Sequence, residues 1–366
     1  MLKSRRLSIW PTLSPRAYRA DPLRSLPFPL EDRRHRVFSR ARHGLWHGVK
    51  ALGMGAGDTV LVPAYHHGSE VEALERAGIV CRFYDVDDRL RPDETELESL
   101  LDASVRALYL IHYFGFPQDA GGWRDWCDHH GLILIEDAAM ALLSEHEGQP
   151  TGSFGDLAIY CLYKTFALPD GGAMFCSRST AYPRGGRRLG LVQATMRTGS
   201  WFAQRSRAVA TMHAAIGGDR EPDWGRDFDL GDPATRPSRI TTALIPRIVD
   251  PNAAERRRTN YAVLMREIGD RADVIFREPP AGASPIAFLF RLDPERQRAL
   301  QSKLAADGVR LARFWLVPHR SVPPDDCANA RALRSSVVGL PVHQELTESD
   351  LQQIVDAFRR ATRRSA

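Results

Sequence analysis

The sequence of 366 residues contains no apolar run approaching the roughly 18 residues that a membrane-spanning helix needs. It has no internal repeat and no low-complexity tract, which excludes solenoids and repeat arrays. Its five cysteines (Cys81, Cys127, Cys161, Cys176 and Cys327) are odd in number and scattered, and none form a CxxC pair. Neither a disulfide framework nor a metal site is indicated. Lysine is scarce: of 50 Lys and Arg residues, only Lys3, Lys50, Lys164 and Lys303 are lysine. Arginine cannot replace a lysine that must lose its proton and act as a nucleophile, so a lysine inside an apolar stretch stands out.

What is present describes an ordinary globular chain, 43% hydrophobic and 26% charged, with a mean hydropathy of −0.33. The net charge of +5 and pI of about 9.1 suit an anionic small molecule. No nucleic-acid module accompanies that charge, so neither a nucleic-acid nor a membrane partner is expected. The basic N-terminus lacks the roughly 7–15-residue apolar core of a secretory signal. Its first acidic residue is Asp21, as in a transit peptide, but Pro11 and Pro15 interrupt a helical reading. The expected location is cytoplasmic.

Residues 1–34 are rich in Pro and Arg and read as an irregular arm. The stretch from about His35 to Leu52 has helical spacing and ends at Gly53. Short apolar strands then alternate with helices. Strands are expected at 59–63, 79–86, 107–115, 132–137, 157–164 and 172–178, with helices at 69–78, 94–102 and 121–131. This alternation predicts an α/β fold with a mostly parallel sheet covered on both faces. Residues 181–237 carry little strand signal, apart from a possible helix at 201–216. Beyond them a smaller α+β unit is expected, with helices near 252–268, 294–308 and 347–364 and strands near 287–292 and 309–316. The division is therefore an arm over 1–34, a large domain over 35–245 and a small C-terminal domain over 246–366.

Ligands of open α/β sheets sit at the carboxyl ends of strands. LILIED places Asp137 there, where a carboxylate is costly without a cationic partner or a helix to cap. Lys164 closes LAIYCLYK and is followed by Asp170-Gly171-Gly172. Each residue alone has a structural reading, as a helix cap or a surface ion pair. Their pairing at two strand ends points instead to chemistry.

Together with LGMGAGDTVLVPAY (52–65), LERAGIVCRFYDVD (74–87), IHYFGFPQD (111–119), HGLILIEDAAMA (130–141), GSFGDLAIYCLYKTFALPDGGAMF (152–175), SRITTALIPRI (238–248) and VVGLPVHQELTESDLQQIVDAF (337–358), the chain resembles the DegT/DnrJ/EryC1/StrS family. These are sugar aminotransferases that use pyridoxal 5'-phosphate (PLP) on the aspartate-aminotransferase fold, fold type I. The resemblance runs from about residue 40 to 360. It implies that Lys164 is the lysine that holds PLP as a Schiff base and shuttles the substrate proton, and desolvation is expected to lower its pKa. Asp137 would pair with the pyridinium nitrogen and keep the ring electron-poor. His67 falls where the family stacks an aromatic residue on that ring, with His66 one residue away; a pair of ordinary loop histidines is the other reading.

Several positions depart from the family. The Ser-Gly-Thr that holds the cofactor phosphate corresponds to Arg40-Ala41-Arg42, and the phosphate-binding serine is Ile159. Arg40 or Arg42 at a helix N-terminus could take over that phosphate, or could belong to a solvated basic face. The family's glutamine after the aspartate is Met140, and its asparagine after the lysine is Thr165. The substrate segment reduces to RFWLVPHR (313–320), which leaves His319, Arg313 and Tyr65 as substrate candidates. The expected activity is transfer of an amino group from glutamate or glutamine to a keto acceptor, such as a nucleotide-linked ketosugar. The competing readings are a PLP-dependent lyase or decarboxylase and a non-catalytic binding or regulatory protein. The resemblance also implies a homodimer, with the 184–239 segment reaching into the neighbour's pocket.

Overall fold

The computed structural model describes residues 5–215, 228–324 and 327–363. The chain opens its main sheet with β1 (His35–Phe38), followed by α1 (Ala41–Ala51), β2 (Thr59–Pro63), α2 (Ser69–Arg76), β3 (Val80–Tyr84), α3 (Glu94–Ser99) and β4 (Val105–Ile111). Next come α4 (Ala120–His130), β5 (Ile133–Asp137), a small hairpin of β6 (Glu145–His146) and β7 (Gln149–Pro150), β8 (Leu157–Cys161), α5 (Leu162–Thr165) and β9 (Gly172–Cys176). Seven of these strands form one sheet in the order β1-β9-β8-β5-β4-β2-β3. The pairs β2–β3, β2–β4, β4–β5 and β5–β8 are parallel, while β9 runs antiparallel to both its neighbours. Every residue of β2, β8 and β9 is buried, as a sheet covered on both faces requires.

Three helices follow the sheet, α6 (Leu191–Ala203), α7 (Arg207–Ala215) and α8 (Arg239–Ile248). The chain ends in α9 (Ala253–Ile268), β10 (Asp273–Val274), β11 (Ala287–Arg291), α10 (Pro294–Ala306), β12 (Ala312–Arg313), α11 (Ala328–Ser336), β13 (Val337–Pro341) and α12 (Glu348–Ala361). Its four strands make a second, antiparallel sheet in the order β10-β11-β13-β12. α12 starts with a reciprocal capping box between Thr347 and Asp350. Among the described residues no helix is long and apolar enough to cross a membrane.

The structure corrects several local expectations. Residues 35–38 form an edge strand in register with 172–175, so the helix expected from about His35 to Leu52 starts only at Ala41. Pairing with β9 outweighs a helical pattern that would have run on through Phe38. The strand expected over 157–164 ends at Cys161, and Lys164 sits on the one-turn helix α5. The strand expected over 309–316 shrinks to β12. The helix expected at 201–216 divides into α6 and α7, and residue 216 lies outside the described residues. The arm packs inward: Leu7 bridges Val309, and Leu7, Ile9, Leu13 and Leu30 are buried.

Candidate active site

The carboxyl ends of β5 and β8 open onto a cavity of about 380 Å³. Asp137, the last residue of β5, pairs with Ile111 on one side and Ile159 on the other, so its register fixes it at the cavity floor. Its carboxylate accepts from the Tyr109 hydroxyl at 2.7 Å and from the Ala139 N–H at 2.8 Å. Burial, reinforced by the charge of Glu70, raises its pKa to about 6 despite those bonds and the nearby Lys164. Lys164 lies three residues beyond the end of β8, half-buried, and lines the same cavity. The two side chains share one hollow, as their strand-end positions suggest.

The expectation of a depressed Lys164 pKa is corrected. Burial pulls the ammonium down, but Cys161, Tyr163, Asp137 and Glu70 around it more than offset that effect, and its pKa is raised. Thr165 beside it is buried, its hydroxyl without a partner. Its carbonyl accepts from Arg257 at 2.9 Å and from Gln344 at 3.0 Å. Arg257 also donates to Gln344 and to the Pro285 carbonyl, so α9 ties the lysine's turn to the C-terminal sheet.

His67 lines the cavity on the loop between β2 and α2. Gly68, at φ +110°, turns the chain into α2, and the Phe228 ring occupies the space a Cβ there would need. The His67 N–H donates to Glu70 at 2.9 Å, while its Nδ1 is buried without a partner. Burial drives its imidazole pKa down to about 3, so the ring is neutral. His66 points elsewhere: it is fully buried, with Nδ1 against the Pro63 carbonyl and its ring near Phe83. Arg334, buried and bound to three carbonyls, joins Ala64 and His66 to Trp315, which lies across the cavity wall.

Arg40 caps α1 without a side-chain hydrogen bond, and both Arg40 and Arg42 line the cavity. Gly172 makes this placement possible, because a Cβ there would collide with the Arg40 and Ala41 backbone. The Arg42 guanidinium donates to the Asp229 carbonyl at 2.6 Å. Ile159 and Met140 are wall residues, as is Trp10 from the N-terminal arm.

Three expected substrate residues are not among those lining this cavity. Tyr65 is fully buried in an aromatic cluster with Tyr113, Phe114 and Trp315. Arg313 and His319 line a different cavity, and His319 faces Glu72 at 3.3 Å. Sequence reasoning missed Trp10, Glu70, Tyr163, Trp315 and Arg197, all of which line the Lys164 cavity. The nearest available signals were RFWLVPHR for Trp315 and the Arg-rich 184–239 segment for Arg197.

The residues present fit PLP: an amine and a carboxylate in one hollow, a neutral flat ring at its wall, and a helix N-terminus with arginines for an anion. Residues 35–204 match the DegT/DnrJ/EryC1/StrS aminotransferase family. The chain is 26% identical over 324 residues to a UDP-N-acetyl-3-dehydro-alpha-D-glucosamine 3-aminotransferase of Acidithiobacillus ferrooxidans, covering 85% of this chain and 80% of that protein. It is equally 26% identical over 324 residues to a dTDP-4-dehydro-2,3,6-trideoxy-D-glucose 4-aminotransferase of Saccharopolyspora spinosa, covering 86% and 80%. Its fold resembles the crystal structure of an aminotransferase, TlmJ, from Streptoalloteichus hindustanus, with a TM-score of 0.64 at 22% identity over 90% of this chain and 85% of that one. Over residues 35–204, and at 26% identity along most of its length, the chain is thus similar to the DegT/DnrJ/EryC1/StrS aminotransferases, a family that depends on PLP.

Proposed function

We propose that the protein transfers an amino group from glutamate or glutamine to a keto group on a nucleotide-linked sugar, with Lys164 and Asp137 as its catalytic residues. The observation that carries this reading is that both side chains line one cavity at adjacent parallel-strand ends. The family and the two long relatives are aminotransferases, which favours this reading over a lyase or a non-catalytic protein.

When bound, PLP supplies an electron sink that makes the substrate's Cα–H acidic. Lys164 would hold the cofactor through its Nζ, and that amine, once free and unprotonated, would be the group placed to move the proton at the substrate Cα. Asp137 would keep a positive charge on the ring nitrogen, and the Tyr109 and Ala139 donors hold its carboxylate in one orientation. The neutral His67 ring would be the flat group available to the cofactor, and the start of α1 with Arg40 and Arg42 would be available to its phosphate. Trp10, Phe114 and Trp315 give the hollow apolar aromatic walls.

A cytoplasmic homodimer is part of this proposal. The free cysteines suit a reducing compartment. Tyr182, Leu189, Leu191, Val192, Phe202 and Met212 are exposed within one stretch of chain, the kind of apolar surface a second copy would cover. Size-exclusion chromatography with light scattering should give twice 41.0 kDa; a stable monomer would remove the dimer from the account.

The test is amine transfer itself. With PLP, glutamate and a panel of nucleotide-linked ketosugars, the wild type should release 2-oxoglutarate and an aminosugar, and Lys164→Ala should release neither. Formation of CO₂ or an elimination product in place of the aminosugar would assign the lyase reading.

A further inference from the structure

Four cations line the Lys164 cavity (Arg40, Arg42, Arg197 and Lys164) against two carboxylates, Asp137 and Glu70. That is a formal excess of two positive charges. His67 does not add to it, since burial keeps the ring neutral. Nor does His112: its Nδ1 accepts from the Gln118 N–H, which leaves Nε2 to donate to Glu136. A hollow lined by two more cations than carboxylates is complementary in sign to a dianion.

Arg40 and Arg197 sit at one end, where the adjoining space also holds Asp170, Asp229 and Asp232. A second cavity of about 400 Å³ adjoins the first, and Arg40, Tyr163 and Arg197 line both. Their shared wall lies at the end where α1 begins. Arg197 reaches it from α6, the helix that Gly190 seats close against Ser238. Among the described residues Arg197 forms no hydrogen bond or ion pair. Its contact is with the Tyr163 ring, 5.7 Å from the guanidinium carbon. Burial lowers its pKa, and Tyr163 and the Asp170 carboxylate offset that only in part. Ile159, in the wall of the same cavity, offers an apolar side chain and no hydroxyl to an anion.

We propose that Arg197 binds the phosphate of PLP together with Arg40, forming an arginine-built anion site at the start of α1. The inference rests on the PLP-dependent reading above. A phosphate dianion matches the charge excess, and a guanidinium fork offers it two parallel N–H donors. An arginine on α6 also makes cofactor binding depend on the placement of that helix.

The test compares PLP with pyridoxal, which lacks the phosphate, by titrating each into the full-length cofactor-free protein and following absorbance. Wild type should bind PLP at least ~100-fold more tightly than pyridoxal, because charge-assisted hydrogen bonds are lost without the phosphate. Arg197→Met should weaken PLP about 10–100-fold and leave pyridoxal within about twofold, so the preference collapses. Arg197→Lys keeps the charge and loses the fork, and should fall between the two. Equal weakening of PLP and pyridoxal by both variants would show a structural role and overturn the assignment. Unchanged PLP binding with a raised KM for glutamate would also overturn it, giving Arg197 to the donor's carboxylate. Failure of the wild type to bind either compound would instead overturn the proposed function, and this inference with it.

Discussion

Asp137 should cost the cofactor-free protein stability. Its pKa of about 6 lies roughly two units above the ordinary 3.8, because burial and Glu70 oppose its charge. At 1.36 kcal/mol per unit, carrying that charge costs about 3 kcal/mol. The folded state holds the extra proton between about pH 4 and pH 6. The cost is therefore absent below about pH 4, grows as pH rises and is complete above about pH 6. Asp137→Asn removes the charge and keeps an oxygen for the Ala139 N–H, while the Tyr109 hydroxyl turns from donor to acceptor. Cofactor-free Asp137→Asn should thus match wild type near pH 4 and exceed it by up to about 3 kcal/mol at pH 7.5. For a chain of this length that is about 4 °C in Tm. Calorimetry of both proteins across pH 4–8 measures it. A variant less stable than wild type at pH 7.5, or a difference independent of pH, would refute the reasoning. The same substitution should lower transamination by about 10³-fold or more, since it removes the charge that stabilises the developing carbanion.

His67→Phe should keep PLP affinity within a few-fold, whereas His67→Ala should weaken it about tenfold in the same titration, because only the alanine loses the flat contact. Since burial holds His67 near pKa 3, replacing it should leave the pH profile of kcat/KM unchanged between pH 5.5 and 8. Gly172→Ala should displace α1 or prevent folding, read as loss of soluble protein or as destabilisation of about 3 kcal/mol or more by urea titration, because the added Cβ meets the Arg40 and Ala41 backbone. Trp10→Ala should leave the fold intact and raise the acceptor KM about 3–10-fold, since a partly exposed ring of the cavity wall is lost.

The sheet was legible because parallel strands buried on both faces leave short apolar runs between helices, as at 59–63 and 133–137. β1 was not, because four residues of an edge strand next to a helix carry no period of their own. Its pairing with β9 comes from a partner over a hundred residues away. Lys164 and Asp137 were legible through residue type, apolar flanks and order along the chain, but the raised Lys164 pKa was not. That direction depends on Cys161, Tyr163 and Glu70 closing around the amine in space. Arg197 was hidden for a compositional reason: one arginine among 46 carries no signal until α6 delivers it to the cavity. Tyr65 and His319 show the converse, since proximity to a motif along the chain does not decide which way a side chain faces. Tyr65 turns into the aromatic core, and His319 turns towards Glu72.

The central claim is that Lys164 is the residue that takes up PLP. Wild type incubated with PLP, reduced with borohydride and digested should carry the pyridoxyl phosphate mass on the peptide containing Lys164, and Lys164→Ala should carry none. Labelling confined to Lys3, Lys50 or Lys303, or labelling that persists unchanged in Lys164→Ala, would contradict the account.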